Sequence, residues 1–236
     1  MAYPYLLLWL EGPLQSWGHD SLFGRRDTLN FPTKSGIMGI ICAALGAGGS
    51  QEDLLAEFAD LDLQIIGFAK KNESGSKISI PPLMCDFHMI GSGYDSTDPW
   101  QNLLIPKTND AKKAVGGGTK ITYRYYLQDS VFAAFLAIPE HLKLKLIEAL
   151  KNPVWDLFLG RKNCIPTEFI YQGIFQSIAE CEEYSLNLAK EKNLLKSLTI
   201  KNGYHSGGEV ITINDIPISF GNQKRYRNRQ ITIINE

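Results

Sequence analysis

"FPTKSGIMGIICAALGAGG", residues 31–49, runs from a polar start into an apolar stretch and ends in glycines. Thr33 or Ser35 can cap a helix over roughly 35–47, because a short side-chain oxygen accepts from a first-turn N–H. Ile37, Met38, Ile40, Ile41 and Leu45 occupy nearly the whole circumference, so the helix is buried. Gly36, Gly39, Ala43 and Ala44 leave room for close approach by a sheet or a ligand backbone. Gly46, Gly48 and Gly49 stop the helix. Strand-like segments flank this helix in sequence. "YLLLWL" (5–10) reads as a buried first strand ended by Gly12-Pro13, and "DLQIIGFAKK" (62–71) as the second, after a short helix near 51–59.

The rest of the chain extends this β-α-β start. Residues 14–34, with Gly18, Gly24, Arg25, Arg26 and Pro32, form a long loop, and long loops in compact domains are commonly functional. "KISIPPLMCDFHMI" (77–90) is extended, interrupted by two prolines. Residues 91–118 carry "GSGYDSTDP" and "KKAVGGGTK" without a clear period, and read as an exposed insertion. "KITYRYYLQD" (120–129) and "VFAAFLAI" (131–138) read as two strands of a hairpin turning at Asp129-Ser130. Pro139 opens a helix over about 139–151. The stretch 180–198 reads as helical or irregular. "EVITI" (209–213), "IPISF" (216–220) and "RQITII" (229–234) add C-terminal strands. The order fits an α+β fold, a ferredoxin/RRM-like split β-α-β body. Its expected organisation is a body of 1–76 and 119–236 with an insertion at 77–118.

Composition bounds the function. The 236 residues carry a formal net charge of -1, so any nucleic-acid contact must come from local basic patches. Cys42, Cys85, Cys164 and Cys181 form no CxxC pair, and His19, His88, His141 and His205 form no HxxxH pair. No zinc site or disulfide framework follows, and reduced structural cysteines in a cytoplasmic protein are expected. Residues 5–10 are too short for a signal peptide or a membrane span.

Lys34-Ser35 beside Gly36 hints at a phosphate loop, yet the P-loop pattern needs its glycines before the lysine. Here they follow it, so the backbone cradle for a nucleotide is missing. Two readings of the helix start stay open. In one, Thr33 or Ser35 merely caps and Lys34 is solvated. In the other, the free N–H groups, the helix dipole and Lys34 hold a phosphate. "GYHSGG" (203–208) is not G-x-S-x-G, and no paired carboxylates stand out, so no catalytic residue, cofactor or metal is assigned. Three basic-aromatic patches remain: "KRYRNR" (224–229), "TYRYY" (122–126) and "GRK" (160–162). On a strand Tyr123 and Tyr125 share one face, Arg124 and Tyr126 the other. Such faces stack bases and hold phosphates, which points to RNA or another single strand.

"LLLWLEGPLQSWG", "NFPTKSGIMGIICAALG", "TYRYYLQD" and "FLGRKNCIPTEFIYQG", in this order and spacing, resemble the CasD subunit family of the type I-E CRISPR Cascade complex. The resemblance covers about a quarter of the chain. It implies a repeat-associated, RRM-like body, with the insertion at 77–118 as a β-rich thumb. It also implies a structural, ribonucleoprotein role in antiviral defence. The subunit would hold the 5′ handle of the CRISPR RNA, cap a backbone of CasC subunits, and touch the large CasA subunit that reads the target DNA. Carried over by position, the expected RNA-binding residues are Trp17, Lys34, Ser35, Gly36, Gly39, Arg124, Gly160, Arg161 and Lys162, with Gly18 in the same motif loop. A second class of function stays open, because the related type I-C subunit cleaves repeat RNA. Metal-free cleavage needs a general base and a cation at the phosphate. His19 and His88, the histidines before the insertion, adjoin no lysine.

Overall fold

The computed structural model describes residues 3–18, 21, 24–78, 81–90, 97–100, 110 and 120–236. Its frame is a nine-stranded sheet in which the main path runs β6-β1-β5-β3-β7-β9-β8. The strands are β1 (Tyr5–Gln15), β2 (Arg25–Arg26), β3 (Leu63–Lys70), β4 (Met84–Ile90), β5 (Lys120–Ala137), β6 (Tyr171–Phe175), β7 (Leu194–Asn202), β8 (Glu209–Ser219) and β9 (Arg225–Asn235). Four bounded helices accompany them among the described residues: α1 (Lys34–Leu45), α2 (Glu52–Ala59), α3 (Lys143–Lys151) and α4 (Ile178–Glu191). Neighbours in the first half are antiparallel, and β5 lies between β1 and β3. β1-α1-α2-β3 is therefore a split β-α-β unit. β5-α3-β6 is a second one, with β1 inserted. This is the ferredoxin-like α+β body expected from the sequence. β7, β9 and β8 extend the same sheet past β3.

Strand alternation divides the core. Leu6, Leu8 and Leu10 of β1 pack with Ile37, Met38 and Ile41 of α1 and with Phe58 of α2. Leu7 and Trp9 point to the other face, against Phe68, Val131 and Phe135, where α4 supplies Cys181 and Ala189. "YLLLWL" is a continuous apolar run because both faces of β1 are covered.

The expected hairpin at Asp129-Ser130 is replaced by one continuous strand. β5 runs 18 residues, and its register with β1 is unbroken from Tyr5↔Ala137 to Gln15↔Leu127, except at Pro13. Pro13 has no N–H to give, and Asp129, the residue opposite by that count, takes φ 47°. The two irregularities coincide, so both strands bend together and neither reverses. Gln15 mends the gap, since its buried Nε2 donates to Leu10 O (3.0 Å) and Ser130 O (2.6 Å). Gly12-Pro13 accordingly does not end β1. Past the bend, the first half of β5 pairs with β4 on one side and β2 on the other. Of this ribbon only β4 falls within the expected 77–118 insertion. Most of 91–118 lies outside the described residues. β7 begins within 180–198, read from the sequence as helical or irregular, and runs on to Asn202. Buried Leu198 and Ile200 pack it into the core.

Thr33 is the cap of α1: its Oγ1 accepts from Gly36 N–H (3.1 Å). Gly46 closes the helix in the left-handed region at φ 64°. The C-terminal hairpin reaches this helix through Asp215. Its carboxylate accepts the Lys34 backbone N–H (2.7 Å) and takes Arg229 in a fork, Nε–Oδ1 2.7 Å and Nη2–Oδ2 2.9 Å. Asp215 is 1 % and Arg229 9 % exposed. Breaking such a buried pair from one side strands the other charge, which costs about 3–5 kcal/mol. Asp215→Ala is expected to lower the unfolding free energy from urea titration by that order. The double variant Asp215→Ala/Arg229→Met is expected to lose less than Asp215→Ala alone. Equal losses in the two proteins sink the account.

Candidate nucleic-acid groove

One face of α1 is not covered by the core. Gly36, Gly39 and Ala43 lie along it and are half-buried. They floor an open groove of about 880 Å³. One wall is the irregular segment after α3, which contributes Trp155, Asp156, Phe158, Gly160 and Arg161. The other is the β8–β9 hairpin, which contributes Asn214, Phe220, Gly221, Lys224 and Tyr226. Arg26 and Gly18 close one end. Backbone bonds fix both walls on the helix. Trp155 N–H donates to Ala43 O (3.2 Å), Val154 N–H to Ala44 O (3.0 Å), and Phe220 N–H to Ser50 O (2.8 Å) beyond the helix end.

The residues expected from the sequence divide between lining and support. Trp17, Ser35, Gly36, Gly39, Gly160 and Arg161 line the groove, Trp17 from beneath its surface. Arg161 is held firmly: Nη1 donates to Tyr125 O (3.1 Å), Nη2 to Arg26 O (2.8 Å), and its Cζ lies 4.7 Å over the Tyr126 ring. Arg124 of β5 stands in register with Arg26 of β2 and Asp86 of β4, so it shares their face. Arg26, Arg124 and Arg161 thus gather at one end. Arg26 and Arg124 carry no ion pair among the described residues. Lys162 is exposed beside this end.

Three of the expected residues also have roles inside the fold. Trp17 is 0 % exposed, with Nε1 donating to Gln15 Oε1 (3.0 Å). Its ring lies 2.6 Å from where a Cβ on Gly36 would sit, so it supports the helix start and offers no face to a base. Gly160 takes φ 100°, and a Cβ there would lie 1.8 Å from Ser16 O, so this glycine is required by the chain's own packing. Lys34 points inward, being 2 % exposed, and its Nζ donates to Ala59 O (2.9 Å) and Leu61 O (2.6 Å) at the end of α2. Its ammonium is held inside the fold and is not solvated. The start of α1 is likewise occupied, since the N–H groups of Lys34, Gly36 and Ile37 bond Asp215, Thr33 Oγ1 and Thr33 O.

Sequence reasoning passed over Arg26, Lys224, Tyr226 and Trp155 as individual groove residues. "KRYRNR" was visible as a patch, yet three of its four cations are used internally. Arg225 pairs with Glu52, Arg227 with Asp60, and Arg229 with Asp215. Lys224 is left at the groove beside Tyr226, whose hydroxyl pKa burial raises. Cys42 also lines the groove, but burial pushes its pKa up to about 11, so it remains a thiol at neutral pH. Of the two histidines weighed for cleavage, His88 sits on β4, bonded to Asp86, and does not line the groove; His19 lies outside the described residues. Among the described residues no group of acids, histidines and cysteines is arranged to hold a metal. No described helix is long and apolar enough to cross a membrane.

Burial, and then the Arg229 charge, lower the Lys34 pKa from 10.5 to about 8, against the opposing pull of Asp215. The folded protein therefore releases this proton near pH 8, while the unfolded chain keeps it to about 10.5. Where the unfolded state binds more protons, stability rises with pH. Relative to a Lys34→Met variant, the parent is expected to gain about 2 kcal/mol between pH 7 and pH 10. Urea unfolding at the two pH values measures this. A constant difference means Lys34 titrates normally.

A family model described as CRISPR-associated protein (Cas5) matches residues 5–232. The Cascade subunit CasD of Escherichia coli K12 is 28 % identical over 180 residues, covering 73 % of this chain and 72 % of that protein. Among solved structures, a chain of a CRISPR RNA-guided surveillance complex superposes with a TM-score of 0.69 at 26 % identity, covering 98 % of this chain and 89 % of its own. A solved Cas protein gives 0.60 at 26 % identity, covering 98 % and 94 %.

Proposed function

The chain belongs to the Cas5 family of CRISPR-associated proteins, and from that premise we propose that its groove holds the 5′ handle of the CRISPR RNA within a type I-E Cascade complex. A role as a Cascade subunit is supported by the similarity to CasD and to a chain of a surveillance complex. The observation that carries the RNA reading is the groove itself. Arg26 and Lys224, both exposed and without ion pairs among the described residues, stand in it with half-exposed aromatic rings, in a chain whose net charge is only -1. Arg124 and Lys162 continue the positive charge at one end. The subunit positions RNA and leaves sequence recognition of the target to base pairing by the guide. In this reading its role is structural, which the place of His88 on the ribbon, apart from the groove, and the protonated lining thiol support.

Each phosphate contact on a single strand contributes about 0.7 to the slope of log affinity against log salt. Arg26→Ala/Lys224→Ala is expected to lower that slope by about 1.4 in titrations of the complex with handle RNA. An unchanged slope and affinity remove these cations from the site. Repeat RNA incubated with the purified chain and a chelator is expected to stay intact. Cleavage that disappears on changing His88 or His19 establishes the endoribonuclease reading instead.

The β4–β5 ribbon supports the thumb reading and the capping of CasC. Phe87, Met89, Ile121 and Tyr123 alternate onto one face of it and are 43–58 % exposed. An apolar face of this kind marks a protein contact. Phe87→Ser/Met89→Ser is expected to reduce recovery of assembled complex while the chain's own melting temperature holds within a few degrees. Full recovery of the complex argues for a different contact.

A further inference from the structure

The outer edge of β4 is the least defended among the described strands. An edge strand presents unpaired N–H and C=O groups, and proteins blunt such edges with prolines, bulges or shortness. β6 has five residues and a register shift against β1, and β8 carries Pro217 and two register shifts. β4 has none of these, and its register with β5 is unbroken over 7 residues. Among the described residues no backbone group bonds its other side. The groups that point outward follow from β5. Tyr123 N–H donates to Gly24 O (2.7 Å) and Tyr125 O accepts from Arg161, so these residues turn their backbone away from β4. Their opposites, Phe87 and Cys85, are therefore non-hydrogen-bonded positions. With Met89, by alternation, they turn their own N–H and C=O groups to the free edge.

We propose that β4 pairs with β4 of a second copy of this chain, antiparallel about a two-fold axis through Phe87. The contact is isologous, as a two-fold requires. Phe87 then faces Phe87 of the second copy, Cys85 faces its Met89, and every outward group of these residues gains a partner. Asp86 stands opposite His88 of the second copy, and His88 opposite its Asp86. Side chains opposite one another at non-hydrogen-bonded positions come close, and like charges there are destabilising. Within one chain Asp86 already bonds His88, so acid and imidazole alternate along the strand and across the axis. Sliding the pairing so that the outward groups still meet sets Asp86 against Asp86 in one direction and His88 against His88 in the other. A slip of one residue sets the apolar side of one ribbon beside the polar side of the other. The pattern "MCDFHMI" thus selects a single register. This pairing takes the edge and leaves the face of Phe87, Met89, Ile121 and Tyr123 open, so it goes beyond the protein contact proposed for that face.

The test uses the full chain without RNA. Sedimentation velocity at rising concentration is expected to show monomer passing to dimer. Phe87→Pro removes an outward N–H and leaves the β4–β5 ladder, whose bonds run through Met84, Asp86 and His88, in place. It is expected to raise the dimer dissociation constant at least about tenfold, since both central bonds are lost. Phe87→Ser, which keeps the N–H, is expected to retain more of the dimer than Phe87→Pro. In a Cys85→Ser background, Phe87→Cys is expected to cross-link copy to copy with a short bis-maleimide, because the two-fold brings this residue against itself. Tyr204→Cys, at an exposed position on another loop, is expected not to. The cross-link decides the matter even if the proline variant loses its fold. A monomer at every concentration overturns the inference. So does a dimer that Phe87→Pro leaves unchanged, or one that fails to cross-link at Phe87→Cys. Each of these results leaves the reading as a complex subunit standing. A chain that is monomeric alone, with β4 amides protected from hydrogen exchange only in assembled complex, assigns the edge to another protein and overturns the second copy.

Discussion

The carboxylate of Asp215 sets the positions on which the groove depends. It lies in the C-terminal hairpin, 181 residues from Lys34, yet it caps the first amide of α1 and forks with Arg229 in a buried setting. The start of a helix carries partial positive charge, so an internal carboxylate there is favourable. That contact docks β8 and β9 against α1 and so creates the second wall of the groove. It also fixes Lys34. With Arg229 and Asp215 beside it, the lysine stem runs inward and its ammonium closes the exposed carbonyls at the end of α2. A helix start already occupied by the protein's own anion has little left for an external phosphate. On the proposed reading the attraction for RNA comes from the rim, where Arg26 and Lys224 carry no ion pair among the described residues.

A second constraint is the length of β5. One strand of 18 residues serves the central sheet with its second half and the β4 ribbon with its first. Any contact made by the ribbon is therefore continuous with the middle of the body. The bend at Asp129, opposite the proline of β1, redirects the strand without breaking it. Arg124 and Tyr126 lie just beyond that bend, so the same irregularity brings the arginines of the ribbon toward Arg161 and the groove end.

The sequence was most legible where local pattern decides structure. The capped and glycine-ended α1, the two-sided burial of β1 and the split β-α-β order all follow from period and turn chemistry. It was misleading where partners are distant. Pro13 and Asp129 each look like a turn, and only their juxtaposition across two strands makes them a shared bend. Lys34 looks like a surface cation because nothing within twenty residues hints at Asp215 or at the end of α2. Trp17 carries a motif-like spacing, yet the close approach of Gly36 buries it. The cations of "KRYRNR" look alike in one dimension, but strand alternation sends Arg225, Arg227 and Arg229 to acidic partners and leaves Lys224 over. Trp155 had no signal at all, since a single tryptophan in an irregular segment has no period to betray which way it faces.

The modest charge of this groove bears on how the molecule works. A handful of free cations in a chain of net charge -1 gives a weak electrostatic grip, steeply reduced by salt. A groove open to solvent along its length cannot enclose a strand. Tight retention of RNA then requires that other surfaces engage the same strand, and linked contacts multiply in affinity without any one being strong. The exposed apolar ribbon face supplies a way to hold such a neighbour in a fixed relation to the groove. On the proposed reading, weak binding by the isolated chain suits a subunit, since RNA would then be kept only where the partners are also in place.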